Sequence, residues 1–118
     1  MDTNIDFNNK LIKSQSMWEA GICLLDSSYY RQAAMLFWFS IRDCIFEYLE
    51  MKNTEYDSTR KALLAVISEP GLSTISSEIM FVYSIGTMTE WDENFFITKA
   101  QLLDYMNRCS RIAITLKH

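Results

Sequence analysis

Between Ala33 and Ile41 only Ser40 is polar, and the run QAAMLFWFSIRDCIFEYLEM around it has no polar face of any width. A helix on the surface of a globular protein shows one apolar stripe, whereas one that is apolar nearly all round has to be buried on more than one side. The run therefore predicts a long, enclosed helix from about Tyr29 to Met51. In a chain of 118 residues, the second buried side is read as facing another protein chain. Phe37, Trp38, Ile41 and Ile45 are the candidate contact residues on that helix.

Only three glycines and one proline are present. That leaves little material for the tight turns of a sandwich or barrel, and predicts long helices joined by short loops. Leu11, Trp18, Ile22 and Leu25 recur at helical spacing and define a first helix from about Asn8 to Leu25. Asp26, Ser27 and Ser28 end it and offer an N-cap to the next. Asp57 or Ser58 can cap a third helix containing Leu63, Leu64, Val66 and Ile67, which Pro70-Gly71 stops. A fourth begins among Ser73 to Ser77, turns Ile75, Ile79 and Val82 inward, and ends near Gly86 to Glu90. Thr98 and Gln101 form a capping-box pattern for a fifth helix, lined by Leu102, Met106, Cys109, Ala113 and Leu116. The expectation is an all-α, up-and-down bundle of four to five helices, a single domain over residues 1–118.

The formal net charge is −4, and no basic stripe is visible. Neutralised phosphates supply most nucleic-acid affinity, so RNA binding is not indicated by charge. Cys23, Cys44 and Cys109 lack any metal-ligand spacing and read as buried, reduced small hydrophobes. The polar start MDTNIDFNNK does not resemble a signal peptide, and no window reaches the length of a membrane span. The expected setting is the cytoplasm, without membrane, metal or cofactor.

Catalytic motifs are largely absent. No glycine-rich phosphate loop, GxSxG or HExxH occurs. The only histidine, His118, is the last residue and is poorly placed for positioned acid–base chemistry. The informative feature is Arg42-Asp43, two adjacent charges inside the apolar helix. Desolvated charge is costly unless paired. Either the two pair with another helix, a partner or solvent, or Arg42 faces a cleft and binds an anion such as phosphate through its planar fork.

The segment AGICLLDSSYYRQAAMLFWFSIRDCIFEYLE resembles the first two helices of HEPN domains (higher eukaryote and prokaryote nucleotide-binding). Arg42-Asp43-Cys44-Ile45-Phe46 matches the first five positions of that family's Arg-polar-x-x-x-His motif, and Glu47 stands where its ribonucleases have histidine. The resemblance implies a helical bundle that dimerises, with Arg and His of both protomers cleaving RNA without metal. The missing histidine implies a non-catalytic interaction or regulatory module. Such members work beside a nucleotidyltransferase or a defence effector, in antiviral-defence or toxin–antitoxin settings. Two alternatives stand beside it. One is a variant metal-independent ribonuclease centred on Arg42 with Asp43, Glu47 or Tyr48. The other is a structural subunit of a larger complex. A similarity of LLDSSYYRQAA to a tetratricopeptide unit finds no second copy in the chain.

Trp91 to Ile97, WDENFFI, reads as an aromatic, acidic linker. Trp91, Phe95 and Phe96 either cover the open end of the bundle or form a contact patch for a partner.

Overall fold

The computed structural model describes residues 15–117. The start of the first helix, with Asn8 and Leu11, and His118 lie outside them. Within them the chain is all-α. Helix α1 occupies residues 15–26. It is followed by α2 (Tyr30–Met51), α3 (Thr59–Ile67), a 3-10 turn (Pro70–Ile75), α4 (Ser76–Trp91) and α5 (Lys99–Lys117).

Local chemistry sets most of these boundaries. Ser58 caps α3 by accepting from the Lys61 N–H at 3.2 Å. Thr98 and Gln101 complete a reciprocal capping box at α5: the Gln101 N–H donates to Thr98 Oγ1 at 3.1 Å, and the Thr98 N–H donates to Gln101 Oε1 at 2.9 Å. Pro70 opens the 3-10 turn, which runs directly into α4.

The expected N-cap of α2 by Asp26, Ser27 or Ser28 is not what forms. The cap position is Tyr29, with no side-chain cap. Ser28 instead takes a left-handed backbone, φ 68°. The Ser28 N–H donates to the Leu25 carbonyl and the Tyr29 N–H to the Leu24 carbonyl, which is a Schellman closure of α1. Asn53, φ 56°, closes α2 the same way, through Asn53 N–H to Glu50 and Thr54 N–H to Leu49. Glycine usually fills this position; serine and asparagine filling it here is one reason the chain manages with so few glycines.

The second correction concerns α2. Only Gln32, Glu50 and Met51 of its 22 residues are exposed, because α1, α3, α4 and α5 surround it. Phe37, Trp38, Ile41 and Ile45 are at most 1% exposed. They are the centre of the protomer's own core and not a surface for another chain. The two rings among them, Phe37 and Trp38, sit where a helix backbone comes close. A Cβ at Gly21 would lie 2.7 Å from the Phe37 ring, and one at Gly86 only 2.4 Å from the Trp38 ring. Gly86 is thus a packing point inside α4, not its end. Phe37 also meets Trp18 of α1 at 4.7 Å between ring centres, and Trp38 meets the edge of Tyr83 at 5.8 Å.

Helices α4 and α5 run antiparallel. Glu78 pairs with Arg111, and the Tyr105 hydroxyl donates to the Val82 carbonyl at 2.9 Å. Arg31 of α2 reaches the other end of α4, donating to the carbonyls of Thr89 and Glu93 at 3.1 and 3.4 Å. The Thr89 carbonyl is one of those a helix C-terminus leaves without an intrahelical partner, and a cation there also complements the helix dipole. No described helix is long and apolar enough to cross a membrane.

Candidate functional site

Consecutive helical residues point about 100° apart, so Arg42 and Glu47 project roughly 140° apart and Arg42 and Tyr48 about 120° apart. The four candidate catalytic residues are therefore not brought together. Arg42 leans toward α4. Its Nη1 donates to Glu90 Oε1 at 3.3 Å, and its guanidinium lies over the Phe39 ring, 4.6 Å from the centroid. The Arg42 Nε has no acceptor among the described residues. Its pairing with Glu90 largely neutralises the charge that Arg42 could offer a phosphate. Asp43 is half-buried. Glu47 is buried, 8% exposed, on the inward side of α2.

Tyr48 turns toward the end of α3. Its hydroxyl donates to Glu69 Oε2 at 2.5 Å, and Lys52 Nζ lies 5.7 Å from its ring centre. The hydrogen bond to the carboxylate, aided by desolvation and the Glu69 charge, raises the phenol to about 12. A phenol held protonated in this way is a poor base at neutral pH. The arrangement binds α2 to the α3 turn; it does not assemble an acid–base pair.

Two of the cysteines behave as expected. Cys44 and Cys109 are buried thiols in no disulfide, and burial pushes the Cys109 thiol far above its usual range. Cys23 is exposed, because it lies on the outer side of α1, one residue past Ile22. No group of three His, Cys, Asp or Glu side chains among the described residues could hold a metal ion. A cleft of about 510 Å³ opens between α1, α2 and α5, walled by Trp18, Ile41, Ala113 and Ile114 with Cys44 and Ser110. It contains none of the four candidate catalytic residues.

The feature the structure brings forward is the outside of α4. Its sequence SSEIMFVYSIGTMTEW spreads apolar side chains around the whole helix, interspersed with serine, threonine and glutamate, yet only Ile79, Val82, Gly86 and Thr89 are buried. Met80, Phe81 and Met88 remain 44, 39 and 45% exposed, and Trp91, its last residue, 82%. Phe96, in the connection to α5, is 78% exposed. Of the linker's three aromatic rings only Phe95 packs partly against the core, where Ile97 is itself buried. Trp91 and Phe96 do not cover the bundle's end. Phe81, Ile85, Phe95, Phe96, Ile97 and Tyr105 wall a groove of about 270 Å³, with Asp104 and Gln101 at its edge. Arg108 lies over Phe81, 4.4 Å from the ring centre.

Two of these five exposed residues, Trp91 and Phe96, are contact candidates in the sequence. Met80, Phe81 and Met88 were missed, although the same signal used for α2, apolarity all round a helix, is present in the fourth helix. Comparison with known proteins finds no matching family model and no matching curated protein.

Proposed function

We propose that this chain is a non-catalytic helical interaction module that docks another protein chain on the outer face of α4 and the adjoining connection. One observation carries the reading. Trp91 and Phe96, among the largest apolar side chains of the chain, stand 82 and 78% exposed beside Met80, Phe81 and Met88. Together these five expose about 600 Å² of apolar surface, taking roughly 150–250 Å² for each fully exposed large side chain. That is the top of the range for the largest patch of a typical monomer, ~300–600 Å². Tryptophan, phenylalanine and methionine are also the residue types enriched at interfaces.

The separation of Arg42 from Glu47 and Tyr48 supports the non-catalytic side of this reading over a ribonuclease centred on Arg42. Membership of the HEPN family remains a proposal resting on residues 20 to 50. In that case the chain is a degenerate member whose partner is a nucleotidyltransferase or defence effector.

The test is the size of the complex in extracts of the cells that make the protein. The wild-type chain should migrate well above its own monomer mass, and Met88→Glu combined with Phe96→Glu should return it to the monomer position. Identical migration of the two would refute the reading.

A further inference from the structure

The groove and the knob on this face belong to the same chain and suit each other. Phe81 and Ile85 of α4 form one wall of the groove of about 270 Å³, a space with room for an indole ring. Trp91 presents such a ring, 82% exposed, on the same helix. Phe81 and Trp91 lie five residues either side of Gly86, each about 7.5 Å along the helix axis from it. We propose that a second copy of this chain occupies the face. Two α4 helices cross in antiparallel sense about a two-fold axis near Ser84–Met88, and each Trp91 fills the other protomer's groove. This rests on the reading of the face as a docking surface.

Three further observations agree with that occupant. A two-fold interface uses one patch twice and needs it to be self-complementary, and an exposed ring and an apolar groove on the same face meet that need. The size agrees as well. A standard interface takes about 800 Å² from each partner, so the ~600 Å² of apolar surface needs only a modest polar rim. Finally, the polar residues within the crossing can be buried without losing partners. Ser84 Oγ donates to the Met80 carbonyl at 3.0 Å and Thr87 Oγ1 to the Ser84 carbonyl at 3.0 Å. An unpaired buried hydroxyl would be costly; these are satisfied within their own helix. The short side chains of Ser84 and Thr87 also let the two backbones come close. At the rim, Asp92 and Glu93 beside the knob approach Arg108 beside the groove. Asp104 already pairs with that arginine at 3.0 Å, so these charges contribute little.

Sedimentation velocity on the full chain across the micromolar range tests this. The wild type should dimerise. Trp91→Ala should weaken dimerisation about a thousandfold, roughly thirtyfold for each of the two indoles lost. Met88→Glu, at the crossing, should abolish it. Both side chains are exposed, so circular dichroism and the thermal midpoint should stay within error of the wild-type monomer. A wild type that remains monomeric throughout overturns the proposal, as does a dimer that Trp91→Ala leaves intact. In the first case the docking reading itself survives if the extract experiment still shows a complex that Met88→Glu with Phe96→Glu disrupts.

Discussion

Gly86→Ala separates a glycine that merely lies in a helix from one that a neighbour requires. In an ordinary helix interior the change stabilises by about 1 kcal/mol, because glycine has more backbone freedom to lose. Here the new Cβ would lie 2.4 Å from Trp38 Cγ, 2.5 Å from Cδ2 and 2.9 Å from Cδ1, against ordinary carbon–carbon contacts of about 3.5–4.0 Å. The indole has to retreat by about 1 Å. It is 1% exposed and meets Tyr83 on one side, so the movement spreads into α2. Overpacking typically costs about 1–3 kcal/mol and occasionally more, and three ring atoms in violation put this site at or above the upper end. After the helix gain, the net loss is about 2–3 kcal/mol. For a domain of this length that lowers the thermal midpoint by roughly 8–12 °C. Urea unfolding followed by circular dichroism should show the loss as a lower midpoint with an unchanged slope. Trp38→Phe shortens the ring and also removes an indole N–H that has no acceptor among the described residues. In that background Gly86→Ala should become close to neutral, a coupling of about 2 kcal/mol. If Gly86→Ala stabilised the wild-type background, Trp38 would not lie against α4, and its exclusion from any partner surface would fall with it.

Other consequences are more local. Ser28→Gly should stabilise by about 0.5–1 kcal/mol by relieving the left-handed backbone of a non-glycine residue, measurable as a raised urea midpoint; a loss would contradict the Schellman assignment. Thr98→Ala should cost about 1 kcal/mol by removing one arm of the α5 capping box, with faster amide exchange in the first turn of α5. The phenol of Tyr48 should titrate near pH 12 in the ultraviolet difference between wild type and Tyr48→Phe, and Glu69→Gln should return it toward the ordinary 10. Because its folded value is raised, its contribution to stability is fully present below pH 10 and disappears as pH rises through about 12. With chelator present, wild type and Arg42→Ala should be equally inert toward mixed single-stranded and structured RNA. Cleavage that vanishes in Arg42→Ala would establish a ribonuclease instead.

What was legible in the sequence followed the range of the interactions. The Ser58 cap, the Thr98–Gln101 box and the Pro70 break involve residues within four positions of one another, and each is where the pattern places it. Apolarity around α2 correctly announced burial on several sides, but a helix cannot state whether its neighbours belong to its own chain. Four other helices were enough to enclose it. The same periodicity in α4 leads to the opposite outcome, because only one side of that helix meets α2 and α5. Gly21 and Gly86 have no local signature distinguishing a packing contact from a helix end, and Ser28 resembles an N-cap until its backbone angle is known. The motif residues Arg42, Asp43, Glu47 and Tyr48 sit close in sequence, yet helix geometry turns Arg42 away from both Glu47 and Tyr48 and leaves only Asp43 and Glu47 on one side, and a motif read as a string does not display that divergence.

The most direct test of the outer face of α4 as a docking surface is site-specific photocrosslinking in the cells that make the protein. A photoreactive phenylalanine analogue would replace Met88 or Phe96 on the face, and Glu50 or Arg60 away from it. Strong, discrete products from positions 88 and 96, with none from 50 or 60, are the predicted result, and their mass tells a second copy from a different protein. Equal crosslinking from all four positions, or none from the face, would contradict the account.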